Sequence, residues 1–325
     1  MSTDLSNTGS SELPGHLPEG EEITRNVAGR QARGRVWQGL LIVSTLIGLV
    51  VLLMLLFNIV NDAFGGRWPI DMAELIADGS VAGLNAWYRG EGRREIERRK
   101  LPTLAHGDIT YAAPYLRPPK IWGIGLNYRE HAADLSEVSP TSAPASFMKP
   151  FTAVIGPGQT IRIPTLSHRT TAEGELGVVI GRRCKDVPRE NWLDVVAGFT
   201  TILDMTAEDI LQENPRFLTR SKSFDTFFSF GPQLVTPDEI GDVNRLTVAT
   251  VINGRVHAEN TVDHMTFTPD VLVAYHSQVM TLLPGDIIST GTPGAVHIRH
   301  GDTVECRISG FAPLANPVVD LKVST

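Results

Sequence analysis

The stretch TTAEGELGVVIG, residues 170–181, decides how this chain is read. Side chains two apart on a strand share a face, so Glu173 and Glu175 take one face while Leu176, Val178 and Ile180 take the other. Such a strand buries its apolar face and sets two like charges side by side. They repel unless something compensates them.

The same texture continues outward from Ile121 to the end of the chain. Short apolar runs such as IWGIGL (121–126), VAGFTTIL (196–203), LTVATVING (246–254), DIISTG (286–291) and VECRISG (304–310) alternate with Gly, Pro and Asn turns. That pattern predicts a strand-rich α+β domain with few helices. The clearest helix start is MTAEDILQ (205–212), where Thr206 and Asp209 stand at capping-box spacing.

Upstream the composition changes. Residues 1–35 are rich in Ser, Gly, Pro and Glu and are expected to be a disordered tail. The uncharged stretch GLLIVSTLIGLVVLLMLLFNIV (39–60) predicts a single transmembrane helix over 36–62. Arg25, Arg30, Arg33 and Arg35 precede it and only Arg67 closely follows, so the charge bias puts the rest of the chain outside the membrane. Residues 63–117 read as a small helical lead-in and linker, and 118–325 as the main strand-rich domain.

Bulk properties narrow the function. The 325 residues are 42% hydrophobic with a net charge of −7, which suits a buried core and argues against nucleic-acid binding. Cys184 and Cys306 stand far apart without metal-ligand spacing and are expected to be inert thiols. GIGLNY lacks the rest of a dinucleotide loop, and the S-x-x-K of Ser146–Lys149 lacks its companion motifs. Taken alone, Glu-x-Glu is usually a solvated strand face, and Asp204 a helix cap.

Several stretches in order, GIGLNYREHAADL (123–135), FMKP (147–150), AEGELGVVIG (172–181), GFTTILDMTAED (198–209), KSFDTF (222–227), GDIISTGTPG (285–294) and FAPLANPV (311–318), resemble the fumarylacetoacetate hydrolase family. The resemblance covers residues 121–320 and implies a mixed β-roll or barrel fold. It implies a divalent metal, Mg2+ or Mn2+ with Ca2+ also compatible, held by Glu173, Glu175 and Asp204, whose oxygen donors suit hard cations. A dication would cancel the Glu–Glu repulsion.

The resemblance further implies a dyad of His131 and Asp134 that activates water, with Asp134 where the family has Glu. It places Lys222 beside the metal to stabilise an oxyanion, and Tyr128, Thr292 and Gln212 around the substrate. Where the family often carries an arginine this chain has Glu208, and Gln212 falls one residue late. The implied activity is metal-dependent hydrolysis of a carbon–carbon bond in a 2-keto acid or 1,3-dicarbonyl compound, of the acylpyruvate hydrolase type. Decarboxylation, isomerisation or dehydration would share the enolate. The family also allows a homodimer and implies a cytosolic location, against the charge bias.

A reading from another class stands beside the enzyme. The tail and span resemble the start of a phosphate-transport-type permease, so the chain could be a membrane-tethered protein whose enzyme-like domain is inactive.

Overall fold

The computed structural model describes residues 108–130 and 140–323, together with Ile76, Gly90, residues 92–100 and Ala105. The tail, the predicted span at 36–62 and residues 131–139 lie outside the described residues. Among the described residues no helix is long and apolar enough to cross a membrane. Of the expected helical lead-in, α1 (Arg93–Arg99) is described, with Glu95 bonded to Arg98 and Arg99.

The strands run, in chain order, β1 (Ile121–Gly125), β2 (Ala145–Lys149), β3 (Val154–Ile155), β4 (Ile161–Ile163), β5 (Thr170–Ile180), β6 (Val196–Ala207) and β7 (Phe228–Phe230). They continue as β8 (Thr247–Ile252), β9 (Arg255–Thr261), β10 (Ile287–Ser289), β11 (Ala295–His297), β12 (Thr303–Ile308) and β13 (Leu314–Asp320). Helices α2 (Glu208–Glu213) and α3 (Leu218–Lys222) follow β6, and α4 (Pro269–Val279) precedes β10. Strand-rich with few helices, the fold agrees with the sequence pattern.

One sheet has the order β2-β1-β10-β5-β6-β7-β3, with β11 also pairing β5. The second has the order β4-β13-β12-β8-β9. The sheets meet at β5 and β8, where the Gly174 N–H donates to Thr250 Oγ1 at 2.9 Å. A Cβ at Gly174 would lie 2.9 Å from the Ala249 carbonyl oxygen, so the approach needs glycine.

Strands β5 and β6 pair antiparallel along nearly their whole lengths, from Thr170 opposite Ala207 to Ile180 opposite Val196. Every residue of both is buried. The apolar face of β5 (Leu176, Val178, Ile180) belongs to the core, as the alternation predicts. The opposite face, with its two glutamates, is covered as well, by side chains from β2 and α3.

The expected capping box does not form. Strand β6 continues to Ala207, which takes the N-cap position of α2 without a side-chain bond. Extended backbone turns Thr206 toward the glutamate face, where its hydroxyl donates to Glu173 Oε1 at 2.6 Å. Asp209 instead accepts from the His168 N–H at 2.7 Å and the Ser167 hydroxyl at 2.8 Å. Both cysteines are free thiols, and burial pushes Cys306 up to about 12.

Candidate metal centre

Register builds the centre. Glu173 pairs with Asp204 across β5 and β6, and directly opposed residues share a face. Glu175, two residues along, joins them. One oxygen from each of the three carboxylates can be chosen such that all lie within 4.8 Å of one another. The residues are 8%, 1% and 0% exposed for Glu173, Glu175 and Asp204.

Three buried carboxylates this close need counter-charge. Lys222, at the end of α3, supplies part of it, donating to Glu173 Oε2 at 2.8 Å and Asp204 Oδ2 at 2.9 Å. Its ammonium also sits over the Phe147 ring, 4.9 Å from the centroid. Burial opposes its charge, but Asp204, Glu173 and Glu175 outweigh burial and hold the ammonium above its ordinary range. A second buried lysine, Lys149 on β2, bonds Asp204 Oδ1 and reaches the Met205 carbonyl at 3.3 Å. Burial pulls its charge down, against the attraction of Asp204 and with the repulsion of Lys222.

Among the described residues no lysine is bonded to Glu175. It accepts from the Ser289 hydroxyl and, at 2.9 Å, from the Gly291 N–H. Burial first, then the charges of Asp204 and Glu173, push this carboxyl up to about 8. With two ammoniums set against three carboxylates, the cluster still favours added positive charge. The donors are all hard oxygens, so a divalent cation of the magnesium or manganese type fits them.

Other predicted residues fall as follows. Tyr128 is buried, and its hydroxyl has no hydrogen-bond partner among the described residues. Burial first, then the Glu175 charge, raise its hydroxyl well above the ordinary range. Thr292 is buried one residue past Gly291, its hydroxyl donating to the Gly294 carbonyl at 3.0 Å. Gln212 is exposed on α2, and its amide donates to Glu208 at 3.0 Å. His131 and Asp134 lie outside the described residues.

Sequence reasoning assigned no role at this centre to Lys149, Ser289, Gly291 or Thr206, the last having been expected to cap a helix. Lys149 had a signal, a lysine inside the apolar stretch SFMKP. Ser289 and Thr206 had none beyond strand parity.

The comparisons agree with this geometry. The family model described as Fumarylacetoacetate (FAA) hydrolase C-terminal matches residues 120–319. Oxaloacetate tautomerase Fahd2a, mitochondrial, from Rattus norvegicus is 35% identical over 243 residues, covering 71% of this chain and 77% of its own. Among solved structures, a 5-carboxymethyl-2-hydroxymuconate delta-isomerase from Mycobacterium smegmatis is 38% identical with a TM-score of 0.61, covering 67% of this chain and 85% of its own. Maleylpyruvate hydrolase from Sphingobium sp. SYK-6, solved with manganese (II) ion and pyruvate, is 29% identical with a TM-score of 0.64, covering 78% of this chain and 88% of its own. A family match over most of the chain, meeting a strand register that gathers three carboxylates, makes this protein an enzyme of the fumarylacetoacetate hydrolase family.

Proposed function

We propose that this enzyme binds a divalent cation and acts on a 2-keto acid or 1,3-dicarbonyl compound through its enolate. The supporting observation is the buried set of Glu173, Glu175 and Asp204 with Lys222 and Lys149 bonded to it. Magnesium or manganese, when bound, supplies Lewis-acid polarisation of the 2-oxo group. Thr206 fixes one carboxylate through its hydroxyl, while Ser289 and Gly291 fix another. Lys222 places a preorganised positive charge beside the carboxylates, where negative charge on an enolate oxygen would be stabilised. Burial of the surrounding strands excludes water and strengthens that interaction.

Keto–enol conversion or isomerisation is the reading we place first, since it asks only for groups described at the centre. The similarity to an oxaloacetate tautomerase and a delta-isomerase supports it. Hydrolytic carbon–carbon cleavage is the second reading. It needs activated water from His131 and Asp134, and the maleylpyruvate hydrolase likeness favours it.

The test supplies the full chain and magnesium with oxaloacetate, followed by enol absorbance, and with an acylpyruvate, followed by release of pyruvate. Turnover of either identifies the reaction. Asp204→Asn is expected to lower that rate by at least about a hundredfold, since it removes a direct metal donor. Failure of the wild-type chain to bind a divalent cation by calorimetry sinks the proposal.

A further inference from the structure

The face that carries the metal carboxylates continues past them toward solvent. On β5 and β6 the rungs after Glu173–Asp204 are Thr171–Thr206 and then Arg169 beside Glu208, whose N–H donates to the Arg169 carbonyl at 2.8 Å. On the other flank β11 pairs Ala295 with Glu173 and His297 with Thr171. The Ile298 N–H donates to the Thr170 carbonyl at 3.0 Å, which brings Arg299 level with Arg169. Three rows therefore share one face. Ala295, Glu173 and Asp204 form the deepest, His297, Thr171 and Thr206 the next, and Arg299, Arg169 and Glu208 the last.

Exposure follows the rows. Glu173 and Asp204 are buried, while His297, Arg169 and Arg299 are exposed, and Ile298 between His297 and Arg299 is buried. The site thus opens along this line. Its charges are unevenly spent. Arg169 is tied to Glu208 at 2.6 Å, so that pair neutralises itself. Asp302 accepts from the Arg299 backbone N–H at 2.7 Å and leaves the guanidinium alone. Neither the His297 imidazole nor the Arg299 guanidinium makes a hydrogen bond or ion pair among the described residues.

We propose that His297 and Arg299 bind the distal carboxylate of a dicarboxylic 2-keto acid whose 2-oxo-carboxylate end is held at Glu173, Glu175 and Asp204. This rests on the function proposed above and adds the residues that read the far end of its substrate. His297 stands one row, about 7 Å along the strand, from Glu173, a step that matches the separation between the two ends of a four- to six-carbon diacid, and Arg299 lies one row further out, its charge acting on His297. Glu208, standing where the family resemblance expects an arginine, cannot serve an anion. The groups that would serve it, the His297 imidazole and the Arg299 guanidinium, come from the end of β11 and just past it. A guanidinium and an imidazole at one mouth favour a planar, two-oxygen anion over a neutral ketone.

The experiment uses a matched pair of ligands, 2-oxopentanedioate and 2-oxopentanoate, which share the chelating end and differ in the distal carboxylate. Binding to the full chain with magnesium is measured by calorimetry for the wild type, His297→Ala, Arg299→Ala and the double variant. The double variant is expected to weaken the diacid about tenfold and leave the monoacid unchanged. Both residues are exposed, so unchanged melting temperatures should accompany the loss. Equal weakening of both ligands, or of neither, overturns the inference while leaving the proposed function intact. A wild type that binds neither ligand overturns both.

Discussion

At the scale of single residues, the carboxylates of the proposed metal centre depend on neighbouring hydrogen-bond donors. Ser289 is the plainest case, because its hydroxyl and the Gly291 N–H are what hold the otherwise unpaired Glu175. Ser289→Ala should weaken magnesium or manganese binding about tenfold or more, read by calorimetry, with little effect on folding. Unaltered affinity would mean that the strand alone orients Glu175. The clustered carboxylates were legible in the sequence only through the family motifs, since a lone Glu-x-Glu reads as a solvated strand face and Asp204 as a helix cap. Their supporting groups were not, because Ser289 and Thr206 look like any strand hydroxyl until the register sets them against a carboxylate. Gln212, carried over by resemblance, has its amide bonded to Glu208 of its own helix.

At the scale of elements, β5 does two jobs through its two faces. The even-numbered positions face the core, and Gly174 among them meets Ala249 and Thr250 of the second sheet. Gly174→Ala should cost about 1–3 kcal/mol, because the backbone of Ala249 cannot yield as a flexible side chain would. Urea unfolding measures it, and a change below the error of the method would show that the sheets can part freely there. The strand character of β5 and β6 was readable from apolar alternation. Their full burial was not, since alternation ordinarily signals one wet face, and only the cover from β2 and α3 makes both faces dry. The expected capping box failed for a related reason. Capping-box spacing cannot tell a helix cap from the last turn of a strand when the hydroxyl has a stronger claimant.

At the scale of the whole molecule, acid stability has a defined sign. Asp209 and Asp270 both lie below the ordinary value of 3.8, since bonds outweigh the burial that opposes their charge. Asp209 accepts from the His168 N–H and the Ser167 hydroxyl, while Asp270 accepts from the Thr268 hydroxyl and pairs with Arg189. A carboxyl lowered on folding stabilises the protein above its unfolded value and loses that contribution as pH falls through its folded value. The Asp209→Asn, Asp270→Asn double variant should therefore show a flatter fall in melting temperature on the acid side of 3.8 than the wild type. Parallel curves would contradict the assignment. The domain's class was legible from its run of short strands, but the order of those strands was not. Parallel pairs such as β1–β10 and β4–β13 join segments far apart in the chain. The segment at 36–62 remains a sequence expectation, and fractionation of the full chain with membranes, followed by protease digestion of sealed vesicles, tests both the anchor and its direction.

The chain leaves β5 after β10 and returns to the same strand as β11. The Thr290 N–H is fastened to the Leu176 carbonyl at 3.0 Å, and Ala295 is fastened opposite Glu173. Both ends of residues 291–294 are thus pinned to one rigid rail, and the slack between them is set by the rail's own spacing. Nature can exchange the residues of this short bridge, but lengthening it would lift the Gly291 amide off its carboxylate. Diversity in what such enzymes accept should therefore arise by substitution within the bridge and by variation beyond its far end, rather than by insertion.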